Sequence, residues 1–172
     1  MLFFGRISPY KGLEYLLPAF ERVHDELPSA RLVVAGAGNY YFDYDRYKDC
    51  GYIDFIHHYV SGQELTTLIR NASFVVCPYS DATQSGVVST VLPVGTPMVV
   101  TDVGTMPVMI RKYDAGSVVP AKDEDALFKA MAGLLSDTSL LKMKRNNLAA
   151  ALENADGEWD DIAGNYIAAY MK

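Results

Sequence analysis

The sequence predicts an α/β fold, a doubly wound, Rossmann-like parallel sheet of about six strands with helices on both faces. Short, continuously apolar runs recur along the chain, and they are separated by amphipathic segments of helical length. Strands that are apolar at every position are typical of sheets buried on both faces. The chain has 172 residues, half of them hydrophobic and 21% charged, and we see no repeat or linker. We therefore expect residues 1–172 to form a single domain.

The first strand is predicted at Leu2-Phe3-Phe4, followed by a polar turn over residues 5–12. A helix follows, because apolar residues then recur at helical spacing. The residues of this apolar face are Leu13, Leu16, Leu17, Phe20, Val23 and Leu27. Pro18 lies within the pattern and lacks a backbone N–H, so we expect a kink or a late helix start.

The second and third strands are predicted at residues 31–35 and 52–56. Gly36-Ala37-Gly38 ends the second strand, but no third glycine opens a helix, so NAD binding is not expected. Residues 39–50 are dense in Tyr and Asp. This tract could contact a base or an acceptor, or pack against another domain, and we favour a partly buried helix.

A capping box at Ser61 and Glu64 predicts a helix that runs to about Arg70. The fourth strand follows at residues 73–77 and stops at Pro78. Beyond a polar loop, we expect a helix over residues 85–94.

The remaining strands are predicted at residues 97–101 and 117–119, with no element assigned between them. Asp123 is expected to cap a helix that ends near Leu135. The C-terminal residues, about 138–172, are predicted to form two helices broken near residues 156–157.

Composition excludes several classes of protein. Lys and Arg number 15 and Asp and Glu number 21, so the net charge is −6, which argues against nonspecific binding to nucleic acid. Cys50 and Cys77 are too few for a disulfide framework or a cysteine-built zinc site. We find no acidic metal motif, no signal peptide and no apolar run near the ~20 residues of a membrane span.

The loop after the first strand carries two cations and two glycines, Gly5, Arg6, Lys11 and Gly12. This arrangement suits a diphosphate, because Arg forks onto oxygens, Lys adds a point charge and glycine permits close backbone approach. A solvated turn that opens a helix is the alternative at this stage.

The loop after the fourth strand, residues 78–88, feeds a polar segment into the start of an apolar helix. Free amides at a helix N-terminus favour anions, and Gly86 would let a ligand approach the backbone. A serine-capped helix packed on the sheet is the other interpretation, and both can hold together.

The ordered set of these motifs resembles the C-terminal half of GT-B glycosyltransferases, and it is most similar to the retaining group, glycosyltransferase family 4. The resemblance covers essentially the whole chain. Its residues are Gly5-Arg6, Lys11-Gly12, Gly36-Ala37-Gly38, Ser73 to Pro78, Gln84-Ser85-Gly86-Val87, Gly95-Thr96-Pro97, Asp102-Val103-Gly104 and Trp159.

The resemblance implies transfer of a sugar from a UDP- or GDP-linked donor to an acceptor, with retention at the anomeric carbon and without a metal. Arg6 and Lys11 match the basic pair that neutralises the donor diphosphate, and Asp81 is assigned to the donor-sugar hydroxyls. These three form the expected catalytic set. The expected donor-binding residues are Gly5, Arg6, Lys11, Gln84, Ser85, Gly86, Val87 and Thr90.

The sequence departs from the family at two acidic positions. The family typically carries two glutamates eight positions apart, which fall here at or beside Asp81 and at Thr90. Thr90 cannot accept two ribose hydroxyls as a carboxylate does. A non-catalytic nucleotide-binding or interaction module with a degenerate donor site is therefore the alternative. A sugar-nucleotide epimerase would need further acids and a histidine that we cannot identify.

The family pairs this domain with an N-terminal Rossmann-like domain that holds most of the acceptor. Because the first strand starts at residue 2, we expect that domain to be absent from this chain. The chain alone should bind nucleotide and catalyse little. We expect a cytoplasmic protein, with any membrane association through the absent half.

Overall fold

The computed structural model describes residues 1–82 and 86–153. Within these residues, six parallel strands form one sheet in the order β3-β2-β1-β4-β5-β6. Their bounds are Leu2–Phe4 (β1), Leu32–Ala35 (β2), Ile53–Ile56 (β3), Val75–Cys77 (β4), Met98–Thr101 (β5) and Gly116–Val119 (β6). The predicted doubly wound sheet of about six strands is confirmed.

Helices connect the strands and extend beyond the last one. Their bounds are Leu13–Glu26 (α1), Tyr44–Tyr47 (α2), Gly62–Asn71 (α3), Gly86–Val91 (α4), Met106–Lys112 (α5), Glu124–Ser136 (α6) and 138–153 (α7, its described part). Two 3-10 turns, Pro9–Lys11 and Leu92–Val94, lie in the loop after β1 and at the end of α4.

The centre of the sheet is fully buried. Every residue of β1, β4 and β5 is buried, which is why these segments carry no polar alternation. On one face, α1 turns its apolar stripe toward the sheet and packs against α6.

The strand order reverses between β1 and β4. From β1 the sheet grows through β2 to β3 in one direction, and from β4 it grows through β5 to β6 in the other. Right-handed crossovers therefore place the connecting helices on opposite faces, and a crevice opens beside the carboxyl ends of β1 and β4. Both predicted site loops begin at this crevice.

The structure tests two predictions about where helices begin. The capping box is confirmed, because Ser61 Oγ accepts from Glu64 N at 3.3 Å and Glu64 Oε2 accepts from Ser61 N at 3.4 Å. The late start expected from Pro18 is wrong, since α1 begins at Leu13 and continues through the proline. Only one intrahelical hydrogen bond is lost there.

The helix predicted over residues 85–94 is shorter than expected. Its α-helical part ends at Val91, and a 3-10 turn that contains Pro93 follows. Proline has no N–H to continue the i→i−4 ladder, and Gly95 closes the turn with φ +79°. Ser85 lies outside the described residues.

Helix α5 was not predicted. It buries Met106 and Ile110, whereas Val108 and Met109 are exposed, so apolar residues lie on both of its faces. A seven-residue segment without a polar face gives no helical periodicity.

The tract at 39–50 contains only the four-residue helix α2, capped by Asp43. The helix expected after residue 138 is confirmed as far as residue 153. The predicted break near residues 156–157 and Trp159 lie outside the described residues.

Candidate functional site

A cleft of about 570 Å³ opens at the carboxyl ends of β1 and β2. The loops that follow these strands run side by side, because Gly5 N donates to Ala35 O and Ile7 N donates to Ala37 O, each at 2.9 Å. We call this space the donor cleft, after the sugar donor that the family resemblance implies. Its lining residues are Phe4, Gly5, Arg6, Ala35, Gly36, Ala37, Gly38, Tyr59, Val60 and Leu65.

Gly36 permits this close approach of the two loops. Its φ is +151°, and a Cβ added there would lie 1.9 Å from Gly5 O. Only glycine fits a backbone position so close to another backbone oxygen. Gly36, Ala37 and Gly38 thus line the cleft, rather than forming part of a dinucleotide fingerprint.

Arg6 lines the donor cleft and is exposed. Its guanidinium forms no ion pair or hydrogen bond with any residue in 1–82 or 86–153. A cation without a carboxylate partner leaves its full charge to attract an anionic ligand. Arg6 therefore lies where an anion in the cleft could contact it, and its assignment to the donor diphosphate stays a prediction.

Lys11 is only 7% exposed, although its side chain is charged. Its Nζ donates to the Tyr79 hydroxyl at 2.5 Å and lies 3.9 Å from the centroid of the Tyr79 ring. The Tyr10 ring centroid lies 5.0 Å away on another side. A Cβ added to Gly5 would lie 3.9 Å from the same ammonium, so Nζ reaches the backbone that borders the donor cleft.

The two tyrosines form an aromatic cage around the Lys11 ammonium. Aromatic faces attract a cation through their quadrupole without cancelling its net charge. A buried ammonium ordinarily requires a carboxylate, and none pairs with Lys11 among the described residues. The cage therefore holds a fixed positive charge that an anion at the Gly5 edge would neutralise.

The loop after β4 lies against the loop after β1. Ser80 N donates to Tyr10 O at 2.9 Å, and Thr101 Oγ1 donates to Tyr79 O at 2.7 Å. These contacts bring the loop that carries Asp81 next to Lys11. Asp81 itself is exposed, and its assignment to donor-sugar hydroxyls stays a prediction.

The other predicted donor-binding residues lie at the start of α4. Gly86 begins the helix with open space at its Cβ position, and Val87 is half-buried. Thr90 Oγ1 donates to Gly86 O at 2.8 Å, so its proton is used within the helix. Gln84 and Ser85 lie outside the described residues.

Sequence reasoning missed four residues of this region. Tyr59, Val60 and Leu65 form an apolar wall of the donor cleft, and the Tyr59 side chain is 86% exposed there. Tyr79 was included only as the start of a loop, although it holds Lys11. The one available signal was the position of Tyr59 and Val60 directly before the capping box, at the carboxyl end of β3.

Cys77 ends β4 and is buried, as predicted for a core residue. Burial raises the pKa of its thiol from 9.0 to about 12. We expect Cys77 to resist iodoacetamide at pH 8 while the chain is folded, since the thiolate is the reactive form. Peptide mass spectrometry with and without urea would measure this, and labelling of folded Cys77 as fast as the half-buried Cys50 would contradict it.

The same shift fixes the sign of a pH effect. Between pH 9 and pH 12 the unfolded thiol has lost its proton while the folded one keeps it, so this group lowers stability as pH rises through that window.

The described residues contain no group of three His, Cys, Asp or Glu side chains that could hold a metal. Over the same residues, no helix is long and apolar enough to cross a bilayer.

A family profile described as "Glycosyl transferases group 1" matches residues 1–137. The chain belongs to this family. An uncharacterized glycosyltransferase, MJ1607 of Methanocaldococcus jannaschii, is 30% identical over 99% of the chain, which covers 44% of that relative. The chain spans less than half the length of the curated relatives it matches.

Solved structures of glycosyltransferases share the fold. The C-terminal domain of LpcC, a glycosyl transferase group 1 protein of Francisella tularensis, superposes with a TM-score of 0.77 at 21% identity, over 89% of this chain and 83% of that one. Anabaena HepE in complex with UDP superposes with a TM-score of 0.75 at 15% identity, over 97% of this chain and 48% of that one. The predicted resemblance to half of a GT-B enzyme is confirmed at the level of family and fold.

Proposed function

We propose that this chain is the donor-binding domain of a retaining hexosyltransferase that uses a UDP- or GDP-linked sugar. One observation carries the proposal. Arg6 lines an otherwise apolar cleft, and the caged ammonium of Lys11 lies behind Gly5 at its edge; within residues 1–82 and 86–153, neither cation has a carboxylate partner. A nucleoside diphosphate matches both halves of this surface, with its base on the apolar wall and its phosphates on the cations.

The proposed arrangement follows the cleft from one side to the other. The base lies against Tyr59, Val60 and Leu65, and the ribose lies over the glycines at 36–38. The diphosphate contacts Arg6 and reaches Lys11 at Gly5. The sugar extends toward Asp81 and the start of α4 at Gly86 and Val87. The UDP in the Anabaena structure supports a uridine donor, and guanosine is the other candidate.

The proposed chemistry needs positive charge beside the donor diphosphate. The bond between the anomeric carbon and the donor phosphate oxygen breaks, and a new bond forms to the acceptor oxygen on the same face. The acceptor proton passes to a phosphate oxygen of the leaving nucleoside diphosphate. Charge grows on that diphosphate in the transition state, where Arg6 and Lys11 stabilise it. In this proposal the two cations take the role that a metal would otherwise have.

The full reaction also requires an acceptor domain. We propose that an N-terminal Rossmann-like domain supplies most of it, and that the chain alone binds nucleotide but transfers little sugar. We propose a cytoplasmic protein that uses a cytoplasmic nucleotide sugar, and any membrane attachment is made through the other domain.

Calorimetric titration of the 172-residue chain with UDP, GDP and ADP tests the proposal. We expect one nucleotide to bind, and Arg6→Ala to weaken it about tenfold, because a hydrogen bond to a charged group is worth roughly 1.5–3 kcal/mol. Arg70→Ala is the matched control, since Arg70 is exposed at the end of α3, away from the cleft. Equal losses in the two variants would contradict a diphosphate site at Arg6.

The hydrogen bond from Thr90 to Gly86 O favours a second candidate function. Thr90 donates its hydroxyl proton within α4, and its one neutral oxygen lacks the charge and the second oxygen of the family's ribose carboxylate. A module that keeps the fold without donor binding fits this feature. Failure of all three nucleotides to bind would support it over the enzyme.

A further inference from the structure

A second cleft adjoins the donor cleft at Arg6. It has a volume of about 480 Å³, and it shares Arg6 and Gly38 with the donor cleft. Its further walls include Ser8, Tyr10 and Asn39. We call it the Asn39 cleft. Because Arg6 lines both clefts, an occupant of the Asn39 cleft lies beside the proposed diphosphate position.

The polar side chains around the Asn39 cleft lack partners. Ser8 Oγ is buried without a hydrogen bond. The Arg6 guanidinium, the Tyr10 hydroxyl and the Asn39 amide form none with any residue in 1–82 or 86–153. Buried polar groups are nearly always satisfied in native proteins. Ser8 Oγ is therefore an unmet group in the wall of the cleft, whereas the Arg6, Tyr10 and Asn39 side chains are exposed and open to a hydrogen-bonding ligand.

The same wall contains one satisfied hydroxyl. The Tyr41 hydroxyl accepts from Leu13 N at 2.9 Å and fixes the start of α1. Tyr41 is thus a structural residue, and the unmet capacity is confined to Arg6, Ser8, Tyr10 and Asn39.

The chemistry of these groups selects a neutral, hydroxyl-rich ligand. Asn, Ser and Tyr side chains each donate and accept, which matches the hydroxyl groups of a sugar. Arg6 is the one cation among the residues that line this cleft, and it is shared with the donor cleft. Lys11 lines neither cleft, but its Nζ lies next to Gly5, which lines only the donor cleft, so an anion gains more there. The Tyr10 side chain is 46% exposed and offers an apolar ring to the C–H face of a pyranose.

We propose that the Asn39 cleft binds one sugar ring of the acceptor, which places part of the acceptor site in this chain. The assignment rests on the proposed function, since only a transferase has an acceptor. It also has a geometric consequence. A hydroxyl held in this cleft lies beside the phosphate oxygens on Arg6, which is where the acceptor proton must go.

Saturation-transfer difference NMR with the 172-residue chain tests the site. The probes are the methyl α-glycosides of glucose, mannose and galactose at millimolar concentration, with inorganic pyrophosphate as the anionic comparison. We expect at least one glycoside to bind. Asn39→Ala and Tyr10→Phe should each weaken it roughly fivefold, the effect of losing a neutral hydrogen bond. Asn39 does not contact Lys11 and lines only this cleft, so pyrophosphate affinity should stay within about twofold in Asn39→Ala.

Asn71→Ala is the matched control, because Asn71 is exposed at the end of α3 and does not line the cleft. Binding of no glycoside, or equal losses in Asn39→Ala and Asn71→Ala, would overturn the inference. Loss of pyrophosphate binding in Asn39→Ala would also overturn it, by making the cleft part of the phosphate site.

Nucleotide titrations in parallel separate the two proposals. Nucleotide binding without glycoside binding overturns the acceptor subsite and leaves the donor proposal intact. Glycoside binding that depends on Asn39, without nucleotide binding, overturns the donor proposal and supports a sugar site in this cleft.

Discussion

Replacing Gly12 with alanine is expected to lower the free energy of unfolding by about 3 kcal/mol or more. Gly12 has φ +72°, a left-handed conformation that costs other residues free energy. A Cβ there would lie 1.9 Å from Pro78 O and 2.9 Å from Pro78 C. These are backbone atoms at the end of β4, so they cannot move aside as a flexible side chain could.

The damage should extend to the site. Gly12 follows Lys11 directly, and Pro78 precedes Tyr79, so the clash lies between the two segments that carry the Lys11–Tyr79 contact. We therefore expect the folded fraction of the Gly12→Ala variant to bind nucleoside diphosphate less tightly than wild type does. Urea denaturation followed by circular dichroism gives the stability, and calorimetry gives the affinity.

Gly133→Ala is the control for Gly12→Ala. Gly133 lies exposed inside α6, has no atom within 4 Å of its Cβ position and has no positive φ. Alanine there should stabilise the chain by about 0.5–1 kcal/mol, because glycine is a poor helix former. A Gly12→Ala variant as stable as wild type would show that the loops after β1 and β4 are not tightly joined at this point.

The strands were predictable because burial on both faces leaves them no polar positions. β1, β4 and β5 appear in the sequence as uninterrupted apolar runs, and each lies near the predicted bounds. The capping box at Ser61 was equally readable, since its two hydrogen bonds depend only on residues three apart.

Short elements without a polar face were not predictable. Helix α5 has seven residues and apolar side chains inside and outside, so its periodicity carries no signal. Helix α4 ends just before a turn that contains Pro93. Because proline interrupts helical hydrogen bonding, this residue could have been used to predict a shorter helix.

The site was predicted in part. The spacing of Arg6 and Lys11 around a glycine turn indicated a pair of cations. The structure places Arg6 in the lining of the cleft and the Lys11 ammonium behind Gly5, outside that lining. The partner of Lys11 could not be foreseen, because Tyr79 is 68 residues away in sequence. Contacts between loops follow from strand order, and the sequence does not state that order.

Replacing Lys11 with methionine is the most direct test of the cage and should have the largest effect on binding. We expect affinity for the bound nucleoside diphosphate to fall about 10–100-fold, since hydrogen bonds to charged groups contribute roughly 1.5–3 kcal/mol. Methionine keeps an unbranched apolar side chain between the Tyr10 and Tyr79 rings, where sulfur–aromatic contacts are favourable. The free energy of unfolding should therefore not fall, because the variant removes a buried ammonium that has no carboxylate partner among the described residues.

Two controls show whether the charge is responsible. Lys142→Met removes a charge from the exposed face of α7 and should leave affinity within about twofold, which measures the effect of net charge alone. The corresponding nucleoside, which lacks phosphates, should bind Lys11→Met and wild type equally.

If Lys11→Met keeps its affinity for the diphosphate while Arg6→Ala loses it, the ammonium serves only to join the two loops, and Arg6 alone contacts the phosphates. If the nucleoside weakens as much as the diphosphate, the substitution has disturbed the cleft itself, and the cage holds the Gly5 backbone in place rather than a charge.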